Sequence, residues 1–83
     1  MSQNIKADRI IGGNIRKIRS KMGLTQEQLA SKLQLIDCDI SRGTLAKIEA
    51  GIRHISVKEL NAIKQILSMS YEDFFADSDP KQS

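Results

Sequence analysis

Between residues 24 and 74 one short pattern recurs four times: an apolar residue, a Ser or Thr, and a second apolar residue four positions beyond the hydroxyl. The instances are Leu24-Thr25 with Leu29, Ile40-Ser41 with Leu45, Ile55-Ser56 with Leu60, and Met69-Ser70 with Phe74. In each, the hydroxyl can accept one of the backbone N–H groups that a helix leaves unpaired at its start, and the apolar pair fixes the angle of entry. Three of them add a partner three residues on that completes a capping box: Gln28, Glu59 and Asp73. The start at Ser41 has Thr44 there instead. A chain punctuated so often by helix starts has room only for short helices, and no stretch reads as a strand.

Upstream of these starts, Ile11, Ile15, Ile18 and Met22 recur at steps of four, three and four, a single helical stripe. Asp8 is a plausible cap for this first helix, and Gly23 fits the position just past its end. Gly12 and Gly13 fall in its first turns, where each costs up to about 1 kcal/mol relative to Ala. Either the helix begins later, or its backbone approaches something closely. The expected helices are 8–22, 26–34, 42–50, 57–67 and 71–76, an all-α chain. Residues 1–7 read as a flexible arm, 8–76 as one domain, and 77–83, with Pro80, as a disordered polar tail.

An 83-residue chain holds one small domain, and with only two Phe and one Tyr its core must be aliphatic. A domain of this size buries a limited share of its surface and gains from a partner. The net charge of +3 is unevenly spread: residues 1–24 hold six Lys/Arg against the single acid Asp8, whereas both later thirds are slightly acidic. Such a balance is compatible with nucleic acid and equally with a solvated face. Cys38, the sole cysteine, cannot form an intramolecular disulfide, and one Cys with one His does not make a metal site. Asp37 and Asp39 beside it disfavour the thiolate, which argues against a reactive nucleophile. No apolar run approaches a membrane span, and no signal segment opens the chain, so a cytosolic protein is the default expectation. Neither a carboxylate pair, a nucleophile–base pairing, a glycine-rich phosphate loop nor a metal cluster is visible; no enzyme and no cofactor are expected.

The segment Leu24-Thr25-Gln26-Glu27-Gln28-Leu29-Ala30, followed by Ser41-Arg42-Gly43-Thr44-Leu45-Ala46-Lys47-Ile48-Glu49-Ala50-Gly51, resembles the phage-repressor/Cro-like helix-turn-helix family, the Xre type. Ile15-Arg16-x-Ile18-Arg19 upstream and Leu60-x-x-Ile63 through Phe74 downstream fit the same layout, so the likeness covers about residues 9–76. It implies a compact five-helix, lambda-repressor-like domain whose second and third helices form the helix-turn-helix. One departure stands out. The family joins these helices by about four residues, whereas here Leu35-Ile36-Asp37-Cys38-Asp39-Ile40 intervenes. That insertion leaves the two helices in their usual relation if the extra residues bulge to the surface.

The resemblance assigns roles. A recognition helix near 42–50 would enter the major groove, the groove wide enough for it and the one whose base edges carry a distinct donor and acceptor pattern. Leu45 and Ile48 would anchor it, leaving Ser41, Arg42, Gly43, Thr44 and Lys47 toward DNA. Arg42 and Lys47 are the base-reading candidates, and Gly43 and Thr44 permit close approach or touch the backbone. An acid at the Ser41 helix start would repel phosphate, so its absence suits a DNA-facing end, although capping boxes are also simply optional. Gln26 would bind phosphate and brace the recognition helix, helped by the backbone N–H groups and dipole of its own helix start. Arg53 and His54 would run beside a phosphate, and Lys6, Arg9 and Lys17 are longer-range phosphate candidates. Positions matching Arg19 and Glu49 form an ion pair between the first and third helices of the family.

These expectations make the chain a sequence-specific transcriptional regulator of double-stranded DNA, a repressor by resemblance. It would act as a homodimer on a partly palindromic operator, since one short helix reads only a few base pairs. Candidate dimer surfaces are the outer face of the fourth helix and the last helix, with Tyr71 and Phe75; Phe74 at the staple position suits the core. The competing expectation is a protein-interaction module of the same fold, an antitoxin or anti-repressor, for which the acidic stretch 72–79 offers a protein partner.

Overall fold

In a computed structural model, described for residues 3–76 and for side chains from residue 6, the chain forms five helices: α1 (Gln3–Lys21), α2 (Gln26–Gln34), α3 (Arg42–Glu49), α4 (Val57–Leu67) and α5 (Tyr71–Phe75). No strand occurs among the described residues. The four hydroxyl residues are N-caps, each in extended backbone and each accepting from the N–H three residues on. Gln28, Glu59 and Asp73 close capping boxes. The local chemistry of these starts therefore sets four of the five helices to within one residue.

The helix ends follow a second shared rule. In α1 to α4 the chain passes through one left-handed residue: Gly23, Asp37, Gly51 and Ser68. The next N–H then reaches back five residues, from Leu24 to Arg19 O (3.1 Å), Cys38 to Leu33 O (3.0 Å), Ile52 to Lys47 O (3.0 Å) and Met69 to Lys64 O (3.0 Å). This closure satisfies carbonyls that a helix end leaves orphaned, and it turns the following residue back onto the helix. Cys38 and Met69 are accordingly buried.

The α1 helix starts at Gln3 rather than near residue 8. Asp8 therefore lies inside it and is not its cap. Of the expected arm, residues 3–7 have helical backbone; residues 1–2 and the expected tail 77–83 lie outside the described residues. Met22, read as the end of the apolar stripe, is exposed.

The connection from α2 to α3 does not simply bulge outward. Leu35 stands 84% exposed, but Cys38 and Ile40 fold inward to 2% and 1% exposure and join the core. The left-handed turn at Asp37 (φ 66°) makes this reversal. Cys38 and Ile40 of the connection thus belong to the core, with Ile36 packed against it. That core also includes Ile11 and Ile15 of α1, Leu29 and Leu33 of α2, Leu45 and Ile48 of α3, Ala62, Ile63 and Leu67 of α4, Met69, and Phe74 of α5. Full burial of such a side chain contributes about 1.5–3 kcal/mol. Asn14 sits in the same layer, donating from Nδ2 to the carbonyls of Phe74 (2.7 Å) and Ala76 (2.9 Å), and so ties the end of α5 to α1.

Candidate nucleic-acid interface

Two features hold α3 against α1. The first is close backbone approach. A Cβ placed on Gly12 would lie 2.2 Å from the Ile48 carbonyl oxygen and 2.7 Å from that of Glu49. The anomaly at Gly12 is thereby resolved in favour of a close crossing, whereas a Cβ on Gly13 would meet nothing within 4 Å. Gly51, just past α3, meets α1 again, since a Cβ there would fall 2.5 Å from Arg9 Cγ.

The second feature is a buried ion pair. Arg19 donates from Nε to Glu49 Oε2 (2.7 Å) and from Nη2 to Oε1 (2.9 Å), while its Nη1 reaches the Leu24 carbonyl (2.7 Å). Gln26, in the first turn of α2, donates from Nε2 to Glu49 Oε1 (3.0 Å). Three helices thus converge on one carboxylate, and the pairing of Arg19 with Glu49 and the bracing by Gln26 are as expected. Such a bidentate, charge-assisted arrangement constrains direction as well as distance, so the base of α3 is held in register.

From that base, Leu45 and Ile48 point into the core, and the opposite arc of α3 faces solvent. Arg42, Gly43 and Lys47 are exposed and Thr44 is half-buried. Ser41 is also exposed; its Oγ accepts from the Thr44 N–H and donates to Thr44 Oγ1 (3.1 Å each). Neither Arg42 nor Lys47 has a carboxylate partner among the described residues, and the first turn of α3 contains no acid. The arc therefore presents two cations without a carboxylate partner among the described residues, the hydroxyls of Ser41 and Thr44, and a gap at Gly43.

Arg53 and His54 are placed differently from that arc: each has an intramolecular carboxylate. Arg53 meets Glu59 through Nη1 and Nη2, both at 3.0 Å, and Nη1 also reaches the His54 carbonyl. Glu59 is at the same time the capping-box residue of α4. The hydrogen bonds from Arg53, aided by those from Ser56, hold its carboxyl below the usual carboxylate range against the opposing effect of burial. The same hydrogen bond raises the pKa of Arg53. His54 Nδ1 lies against Asp8 Oδ2 of α1. No local signal announced the partners Glu59 and Asp8, because both contacts join separate elements or loops.

Among the described residues no group of three His, Cys, Asp or Glu side chains is placed to hold a metal ion. Burial raises the pKa of Cys38, with Glu59 and Asp39 adding to the effect and Lys58 opposing it. No described helix is long and apolar enough to cross a membrane.

Comparison with known proteins matches residues 15–74 to the family described as helix-turn-helix. The control protein C.BamHI of Bacillus amyloliquefaciens is 32% identical over 74 residues, spanning 88% of this chain and 83% of its own. No solved structure matches the chain.

Proposed function

We propose, on the premise that the chain belongs to the helix-turn-helix family of the Xre type, whose members are DNA-binding transcription regulators, that it reads a specific operator with α3 in the major groove. The observation that carries this reading is the division of α3. One arc, Leu45 and Ile48, is wholly buried, and the base is locked by Arg19, Glu49 and Gln26, while Arg42, Gly43, Thr44 and Lys47 are left for a ligand. Arg42 forks onto a guanine edge, Lys47 contacts a second base, and Ser41, Gly43 and Thr44 bring backbone and hydroxyl close to the duplex. Gln26 contacts phosphate with the amide atoms not used on Glu49. Arg53 and His54 reach phosphate by sharing or exchanging their carboxylate partners. The name of the similar control protein agrees with a regulatory role.

The operator is partly palindromic and the protein acts on it as a homodimer, with half-sites about one helical turn apart. Exposed Tyr71 and Phe75 of α5 and Val57 at the start of α4 are the apolar residues offered to a second subunit. Repression follows from occupying the operator.

Selection of bound duplexes from a random pool tests the proposal. A symmetric consensus is the expected result, and recovery of unrelated sequences would remove both sequence reading and dimeric use. A second reading, a protein-interaction module, draws on a shallow groove of about 500 Å³ lined by Met22, Leu24, Leu35, Ile36 and Ile66 with Lys32 and Gln65. A gel shift over a salt series separates the two, because phosphate-driven binding weakens steeply with salt.

A further inference from the structure

Beside α3 lies a cleft of about 270 Å³ lined by Arg16 and Arg19 of α1, Gln26 of α2, Ala46 and Glu49 of α3, and Ala50. Its charges are not equivalent. Glu49 has both oxygens covered, Oε2 by Arg19 and Oε1 by Arg19 and Gln26. Arg19 in turn spends Nε, Nη1 and Nη2 on Glu49 and the Leu24 carbonyl. The pair is internally neutralised, which leaves Arg16 as the cation of the cleft. Arg16 is exposed and has no carboxylate partner among the described residues. Ala46 and Ala50 are small enough to leave the cleft open at the edge of α3.

The helical geometry of α1 explains why Arg16 is the base that arrives there. Gly12 marks the side of α1 pressed on α3, and Gly51 meets α1 at Arg9. With about 100° per residue, Arg16 stands about 40° from Gly12 around the helix axis, whereas Lys17 stands about 140° away. Lys17, the phosphate candidate suggested by sequence, is thus carried to the far side of α1, and Arg16 is carried to the side of α3.

We infer that Arg16 is a DNA-backbone contact, gripping a phosphate together with Gln26 across this cleft when α3 is in the groove. The assignment rests on the proposed DNA-binding function and adds to it a contact from α1. Its role is to set how α3 sits on the duplex, since phosphate contacts fix register and carry no base information.

The test is the salt dependence of binding, by fluorescence anisotropy, of the full chain and its Arg16→Gln and Lys17→Gln variants to a labelled duplex of mixed sequence. Because Arg16 is exposed, Arg16→Gln is expected to melt with the wild type, and a melt run alongside establishes that the fold is intact. Losing one phosphate contact lowers the slope of log affinity against log salt by about 0.9 per bound subunit. Over a fourfold rise in salt the variant therefore loses about 3.5-fold less affinity per subunit than the wild type. A slope for Arg16→Gln equal to that of the wild type, or a smaller reduction than Lys17→Gln gives, overturns the assignment alone. Wild-type binding that is absent or insensitive to salt overturns the DNA reading and Arg16 with it.

Discussion

Replacing Gly12 by Ala isolates the contact that sets α1 against α3. The added Cβ would stand 2.2 Å from the Ile48 oxygen, 2.7 Å from the Glu49 oxygen and 2.9 Å from the Glu49 carbonyl carbon. Carbon–oxygen contacts settle near 3.3 Å or more, so about 1 Å of separation is needed. The atoms to be displaced are backbone, held by the helix itself and by the ion pair of Arg19 with Glu49, and cannot swing aside as a side chain would. Overpacking costs about 1–3 kcal/mol, a clash against rigid backbone falls in the upper part of that range, about 2–3 kcal/mol, and the better helix propensity of Ala returns up to about 1 kcal/mol. A net loss of about 1–2 kcal/mol is expected, which lowers the melting temperature by about 4–16 °C in a domain of this size. Gly13 supplies the control. Its Cβ would meet nothing within 4 Å, so Gly13→Ala gains the propensity without the clash and melts higher than the wild type. Thermal unfolding followed by circular dichroism on both variants decides the matter. Were Gly12→Ala as stable as the wild type, or the two glycines to shift in the same direction, the close crossing of α1 and α3 would be refuted.

Arg42→Ala is expected to weaken operator binding by about 1–3 kcal/mol with the melting temperature nearly unchanged, whereas Arg19→Ala, which strands a buried carboxylate, costs about 3–5 kcal/mol of stability and lowers binding with it. Normal binding by a folded Arg42→Ala would unseat it as a base reader. The Arg53–Glu59 pair should show itself in acid. Because the folded pKa of Glu59 is depressed, its contribution is present above the unfolded value of about 4.3 and is lost as pH falls through the lower folded value. Glu59→Gln should therefore be less stable than the wild type in urea at about pH 7, with the gap narrowing as pH falls below about 4.3; a gap that stays constant through that fall would count against the pair. Ser68 closes α4 in a left-handed conformation (φ 55°) that suits glycine, so Ser68→Gly should raise the melting temperature by a few degrees, about 0.5–1 kcal/mol, and a fall would contradict that reading.

Taken by itself, the sequence determined the helices and the surface of α3. Thr25, Ser41, Ser56 and Ser70 act on N–H groups three residues away, and the apolar positions of α3 recur within one turn. Both signals lie inside a window that the local chain fixes, and Phe74 in the core followed from the same staple logic. The α1 start was less legible because its apolar stripe has no capping box to mark a beginning, and Asp8 offered a false one. Beyond the Arg19–Glu49 pair and the Gln26 brace that the resemblance implied, only the tertiary structure decided what crosses between elements. It sent Asp8 to His54 and Glu59 to Arg53, and it turned Cys38 and Ile40 of the long connection inward rather than out. It put Asn14 under the end of α5, 60 residues away. It also brought Arg16, not Lys17, beside α3, because the rotation of α1 about its axis is set by Gly12 against the Ile48 carbonyl. A helix's existence is a property of neighbouring residues, but its rotation and its partners depend on the close packing of residues far apart in the chain.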